Sequence, residues 1–120
     1  MIDHFEIKVI NFEQCLEFYS KVLLPVSIET KWVEASAAGF GLMTEHKTRF
    51  LIEKSGQVAN THIAFTAVQK SSVELFHSTG LANGYVCNGP PGVRKDYAPN
   101  YFAAFLFDPD GNNIEAVTYL

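Results

Sequence analysis

The chain has 120 residues, a hydrophobic fraction of 48%, a formal net charge of −4 and two cysteines. A chain of this length forms one domain with its own core, and so much apolar sequence excludes disorder. The negative charge and the lack of a basic run argue against nucleic acid as a partner. Two cysteines do not make a disulfide framework, and Cys15, at an apolar position of a helical pattern, is expected to be a core thiol.

The first residues, "MIDHFEIKVI", lack the basic flank and unbroken apolar run of a signal peptide. No window of the sequence is long and apolar enough to span a bilayer. We therefore expect a cytoplasmic protein without a membrane partner.

In chain order, the first half predicts one strand, one helix and three strands. "HFEIKVI" alternates apolar and polar residues, as a strand with one buried face does. "NFEQCLEFYSKVLLP" repeats its apolar residues at helical spacing, with Asn11 and Gln14 as a capping pair and Pro25 as the stop. The following strands are predicted in "VSIETKW", "AAGFGLM" and "RFLIEK".

The second half predicts the same order again. "THIAFTA" is the strand, and "QKSSVELFHSTG" is the helix, closed by Gly80. Three strands are predicted in "GYVCN", "YFAAFLF" and "NNIEAV", with the loop "GPPGVRKDYAPN" before the middle one. The chain therefore divides into module one, residues 1–56, and module two, residues 57–120, of a single domain.

The two halves also repeat a pair of polar residues, a His at the head of the first strand and a Glu in the last. These residues are His4 with Glu53 and His62 with Glu115. Since apolar neighbours define one face of each strand, the period of two sends all four to the opposite face. If two such units associate side by side, that face becomes the interior of a pocket. Two imidazoles and two carboxylates there would suit a divalent Ni, Mn, Fe, Co or Zn ion.

Each of these residues alone is better explained as a hydrogen-bonded or solvated strand residue, and only their repetition favours a metal site. The other two histidines, His46 in a predicted turn and His77 on the predicted helix, are expected to face solvent.

The predicted loop carries a second set of candidates. Arg94 offers a guanidinium fork for a carboxylate or phosphate group of a substrate. Tyr97 and Tyr101 offer flat apolar faces, each with a hydroxyl. The alternative is an ordinary surface loop with a solvated Arg and two packing tyrosines.

The stretches "IDHFEIKV", "FYSKVL", "THIAF" and "FDPDGNNIEAV" resemble the vicinal oxygen chelate superfamily, which includes glyoxalase I, bleomycin resistance proteins and extradiol dioxygenases. The loop "NGPPGVRKDYAPNYF" resembles an uncharacterised glyoxalase-like subgroup. The resemblance implies an α+β fold in which paired βαβββ modules form an incomplete eight-stranded barrel around a pocket, and it implies a homodimer. Glyoxalase I resembles the chain at His4, Glu53, His62 and Glu115, whereas the extradiol enzymes resemble it at His4, His62 and Glu115 only.

This resemblance and the four candidate ligands predict a metal-dependent enzyme of lyase, isomerase or dioxygenase type. Its metal would polarise two adjacent oxygens of a small oxygen-rich substrate, and Glu115 or Glu53 would act as the catalytic base. A dioxygenase is favoured if only His4, His62 and Glu115 bind the metal. Two alternatives stay open: a protein that binds a small molecule or antibiotic without catalysis, and a member whose site is occupied but inactive.

Overall fold

The computed structural model describes residues 3–57 and 59–120. Two helices and eight strands follow one another in the predicted order, with a short 3-10 helix at Leu24–Val26. The elements are β1 (Phe5–Val9), α1 (Phe12–Val22), β2 (Ile28–Val33), β3 (Ala37–Leu42), β4 (Phe50–Lys54), β5 (His62–Thr66), α2 (Lys70–Ala82), β6 (Val86–Val93), β7 (Tyr101–Phe107) and β8 (Asn113–Tyr119). Neither helix is long and apolar enough to cross a membrane, as judged over the described residues.

Each module forms its own four-stranded sheet, in the order β1-β4-β3-β2 for module one and β5-β8-β7-β6 for module two. In both sheets the first and last strands of the module pair in parallel, and the other pairs are antiparallel. The α+β class and the paired βαβββ modules are thus confirmed. The two sheets are not closed into a barrel in this chain.

One hydrophobic core joins the two modules. It is formed by the apolar faces of both sheets together with the buried sides of α1 and α2, and it contains Cys15, as predicted. Aromatic rings connect the modules directly, since Phe50 and Phe65 meet edge to face with centroids 5.4 Å apart. The sheets therefore pack through the faces opposite to the predicted ligands.

The turn before β8 connects module two to module one through hydrogen bonds. Asp110 accepts hydrogen bonds from the backbone N–H groups of Ile10 and Asn11 and, at 2.7 Å, from the Asn11 side chain. The N-terminus of α1 is thereby held by a carboxylate of module two rather than by the predicted capping pair, because Asn11 makes no side-chain cap within its own helix. Beside it, the buried Asp108 accepts a 2.7 Å hydrogen bond from Tyr19, whose pKa is raised well above its ordinary value by burial.

Helix α2 departs from the prediction in two ways. It continues past Gly80, which lies so close to the Leu106 side chain that a larger residue would collide with it. It also buries His77, which was expected to face solvent, because His77 lies on the same stripe as Val73 and Phe76.

Strand β6 is longer than expected, because half of the predicted loop is strand. It continues through Pro90 and Pro91 to Val93. A strand interior normally excludes proline, but β6 is an edge strand whose pairing with β7 shifts register twice. The irregular segment is consequently confined to residues 94–100, and it carries Arg94 and Tyr97.

Candidate functional site

The carboxylate of Glu115 is the most buried of the candidate ligands. Glu115 lies on β8, between β5 and β7, where its register partners are Ala64 and Phe105. Its side chain is 2% exposed. A carboxylate in such a position needs polar partners, because burying an unpaired charge is costly.

Two side chains supply those partners. The Tyr101 hydroxyl donates a hydrogen bond to Glu115 Oε1. Burial, and then this hydrogen bond, raises the pKa of Tyr101 far above its ordinary value, so the phenol stays protonated as a donor. On the other side, His62 Nε2 lies 3.0 Å from Glu115 Oε2. Tyr101, predicted to bind substrate, therefore also holds the candidate ligand in place.

The orientation of His62 is fixed by the backbone of β8. Its Nδ1 lies 3.2 Å from the carbonyl oxygen of Asn113. Since a carbonyl can only accept, the proton of that hydrogen bond resides on Nδ1, and Nε2 faces Glu115. The ring also stacks on Phe105, with centroids 6.3 Å apart.

When the ring is neutral, Nε2 and Oε2 are two acceptors that face each other, and a cation must lie between them. A proton can serve, and so can a divalent metal ion. Ligand atoms about 2.1 Å from an ion and at right angles to each other are about 3.0 Å apart, which matches the 3.0 Å between Nε2 and Oε2. An imidazole whose other nitrogen donates to a carbonyl is also typical of metal-bound histidine. The pair therefore fits two adjacent ligands of a divalent ion.

His62 and Glu115 lie in a cavity of about 450 Å³. Its other lining residues are Tyr97, Tyr101, Phe105 and Asn113. The two tyrosine rings meet edge to face with centroids 5.2 Å apart. The cavity thus combines an aromatic wall with one polar corner, as small-molecule sites generally do.

Arg94 lies beside this cavity. Its guanidinium stands over the ring of Phe105, 5.4 Å from the centroid, and donates a 2.6 Å hydrogen bond to the carbonyl of Pro90. Gly89 and Gly92 leave room for it, since a Cβ at either position would lie within 3.3 Å of a guanidinium nitrogen. Arg94 is therefore connected to His62 through the ring of Phe105.

The predicted ligands of module one lie on the other sheet. His4 is exposed just before β1, and its Nδ1 lies 2.8 Å from Asp3 Oδ1. Glu53, on β4, is half exposed and pairs with Lys8, whose hydrogen bond is the main cause that lowers the pKa of Glu53.

The four predicted ligands therefore do not converge within one chain. Over residues 3–57 and 59–120, no group of three or more His, Cys, Asp and Glu side chains could hold a metal ion. The physical reason is the packing of the modules, which share a core through their apolar faces and leave the two ligand pairs on opposite faces.

Sequence reasoning missed Asn113 and Lys8. The carbonyl of Asn113 orients His62, and its position two residues before Glu115 on a strand was the available signal. Lys8 lies on the polar side of β1, opposite Glu53 in the parallel register. That alternation was visible in "HFEIKVI", but the pairing of β1 with β4 was not.

Solved structures share the whole architecture of this chain. A glyoxalase/bleomycin resistance protein from Albidiferax ferrireducens is 29% identical with a TM-score of 0.81, and the match covers 98% of each chain. A lactoylglutathione lyase from Agrobacterium tumefaciens is 16% identical with a TM-score of 0.73, over 98% of this chain and 92% of its own. A glyoxalase/bleomycin resistance protein/dioxygenase family enzyme from Burkholderia phytofirmans is 14% identical with a TM-score of 0.74, over 98% of each chain.

The chain therefore shares its fold with glyoxalase/bleomycin resistance/dioxygenase proteins, which is consistent with the vicinal oxygen chelate superfamily that its motifs resemble. Neither a protein-family model nor a curated protein matches the sequence.

Proposed function

We propose that the protein is a metal-dependent enzyme of the glyoxalase-like type, which acts on a small oxygen-rich substrate in the cavity around His62 and Glu115. The observation that carries this proposal is the 3.0 Å approach of His62 Nε2 to the buried Glu115 Oε2. A divalent ion bound there would supply Lewis-acid chemistry by polarising two adjacent substrate oxygens.

We further propose that a second copy of the chain completes the site. His4 and Glu53 lie on the face of their sheet that is not used by the common core, as do His62 and Glu115 on theirs. A homodimer that apposes these faces would bring all four side chains together and would cover open sheet edges. The salt bridge between Lys8 and Glu53 would have to open, and its exposure makes that change inexpensive.

The remaining residues have separate roles in this proposal. Glu115, held at Oε1 by Tyr101, would accept a proton from the substrate at Oε2 if that oxygen were loosened from the ion, or Glu53 would do so from the opposite sheet. Tyr97 and the ring of Phe105 would pack on apolar parts of the substrate. Lyase, isomerase and dioxygenase reactions all begin with the same polarised oxygens.

The test is metal content, measured on protein purified without chelator and without a metal-binding tag. His62→Ala should lose the ion and keep the fold, because this side chain is half exposed and packs little. His46→Ala is the matched control, since His46 is exposed in a turn. Equal metal content in wild type and His62→Ala would refute the metal site.

Arg94 is proposed to bind an anionic group of the substrate. In Arg94→Ala we expect about tenfold to hundredfold weaker binding of a small carboxylate ligand, because a charge-assisted hydrogen bond contributes about 1.5–3 kcal/mol. Metal content should not change. The comparison is made by calorimetry, with Lys95→Ala as the control for a nearby positive charge. Equal affinity in wild type and Arg94→Ala would contradict the assignment.

The alternative function is non-catalytic binding of a small molecule or antibiotic. The aromatic lining of the cavity favours it, because Tyr97, Tyr101 and Phe105 suit a flat ligand. Ligand binding that survives both chelator and His62→Ala would support this alternative over the enzyme.

A further inference from the structure

A cysteine and a histidine meet outside the candidate site. His77 Nε2, on α2, lies 3.1 Å from Cys87 Sγ, on β6. The backbone N–H of Gly89 donates to the same sulfur at 3.3 Å. Two nitrogen atoms thus converge on one thiol, which no part of the proposed function uses.

The fold positions both groups for this contact. His77 is 8% exposed within the packed face of α2, whereas Cys87 is exposed on the edge strand. The register of β6 shifts between Cys87 and Gly89, and at this irregularity the Gly89 N–H donates to the sulfur. The sulfur is therefore accessible from solvent while its hydrogen-bonding partners are fixed.

We propose that Cys87 is a reactive thiol and a modification site that forms mixed disulfides with small disulfides of the glutathione type. The thiolate sulfur attacks one sulfur of the disulfide, a new Sγ–S bond forms, and the original S–S bond breaks. The other half leaves as a thiolate. The electron count balances without a further oxidant, since the small disulfide is itself reduced.

His77 and Gly89 assist the thiolate that this reaction needs. A thiolate accepts hydrogen bonds better than a thiol, so a fixed N–H donor favours ionisation. Burial lowers the pKa of His77, and among the described residues no charged group of the packed elements contributes to that shift. Burial therefore disfavours transfer of the thiol proton to His77, and the ring assists the thiolate by donating its Nε2–H.

The other cysteine provides a reference within the same chain. Cys15 is fully buried in the core, and burial raises the pKa of its thiol far above the ordinary value. It is expected to stay unreactive until the protein unfolds. Any thiol that reacts quickly in the native protein is then Cys87.

The experiment follows thiol exchange of the full chain with dithiodipyridine and with oxidised glutathione in the presence of chelator. We expect one fast thiol per native chain, none in Cys87→Ser, and an exchange rate at pH 7 above that of the cysteines in the chain unfolded in urea. His77→Phe should slow the exchange at pH 7 by about tenfold, because the thiolate loses a fixed hydrogen-bond donor. His77→Gln, whose amide can still donate, should recover part of that loss.

Two results would overturn the proposal. One is a native exchange rate at pH 7 no faster than that of the cysteines in the chain unfolded in urea, which decides the question even if His77→Phe does not fold. The other is an exchange rate in folded His77→Phe within twofold of wild type, because a purely structural histidine would leave the thiol unchanged.

Discussion

Metal binding is expected to reappear when two variants that have each lost it are combined in one dimer. His4→Ala removes a ligand of module one and His62→Ala a ligand of module two, so each homodimer should be empty. In a mixed dimer, one of the two sites receives both defects and the other receives none. Because a twofold dimer has two equivalent sites, purified mixed dimers should contain about half of the wild-type metal.

The variants are co-expressed with two different tags that do not bind metal, and the mixed dimer is isolated on both. The matched control combines His4→Ala with Glu53→Gln, which lie on the same sheet. Each of its two sites then keeps one defect, so the mixed dimer should bind less metal than the first combination. Mixed dimers of His4→Ala and His62→Ala as empty as their parents would show that the site is not shared between chains.

Glu115→Gln is expected to separate metal binding from stability. The amide oxygen can accept the Tyr101 hydrogen bond, and the amide NH₂ can donate to the lone pair of His62 Nε2, so every buried polar atom gains a partner. The buried carboxylate, whose desolvation is costly, is removed. In chelator, the variant should therefore unfold with a free energy equal to that of wild type or higher by about 1 kcal/mol. Its metal content should fall to background.

Urea unfolding and metal analysis measure the two effects on the same samples. Tyr101→Phe is the matched comparison, because it removes the hydroxyl and leaves Glu115 Oε1 without its donor. It should lower the free energy of unfolding by about 1.5–3 kcal/mol, the range for hydrogen bonds to charged groups. A loss of similar size in Glu115→Gln would mean that the charge itself stabilises the metal-free fold.

Local patterns of the sequence were sufficient for the element order and the faces of the strands. Alternation in "HFEIKVI" correctly placed Ile7 inside and Lys8 outside, since period-two geometry depends only on neighbouring residues. The same reasoning put Glu115 on the face opposite to Ile114. His77 could also have been predicted as buried, because it follows Val73 and Phe76 at helical spacing.

Contacts between residues far apart in the sequence could not be predicted from those local patterns. The position of Asp110, 99 residues after Asn11, determines how α1 begins, and no local signal indicates that contact. The distribution of ligands over two faces likewise depends on how the modules pack. A sequence repeat shows that His4 and His62 occupy equivalent positions, but equivalent positions need not lie close together.

The hydrogen bonds that Asp110 accepts at the start of the first helix have a consequence for folding during biosynthesis. As the ribosome releases module one, the carboxylate that receives the backbone N–H groups of Ile10 and Asn11, just before α1, has not yet been made. The ring of Phe50 on β4 also gains its contact with Phe65 only when module two is made. Module one is therefore expected to stay incompletely folded until nearly the whole chain has emerged, so that both halves acquire their final structure in one late step rather than in succession.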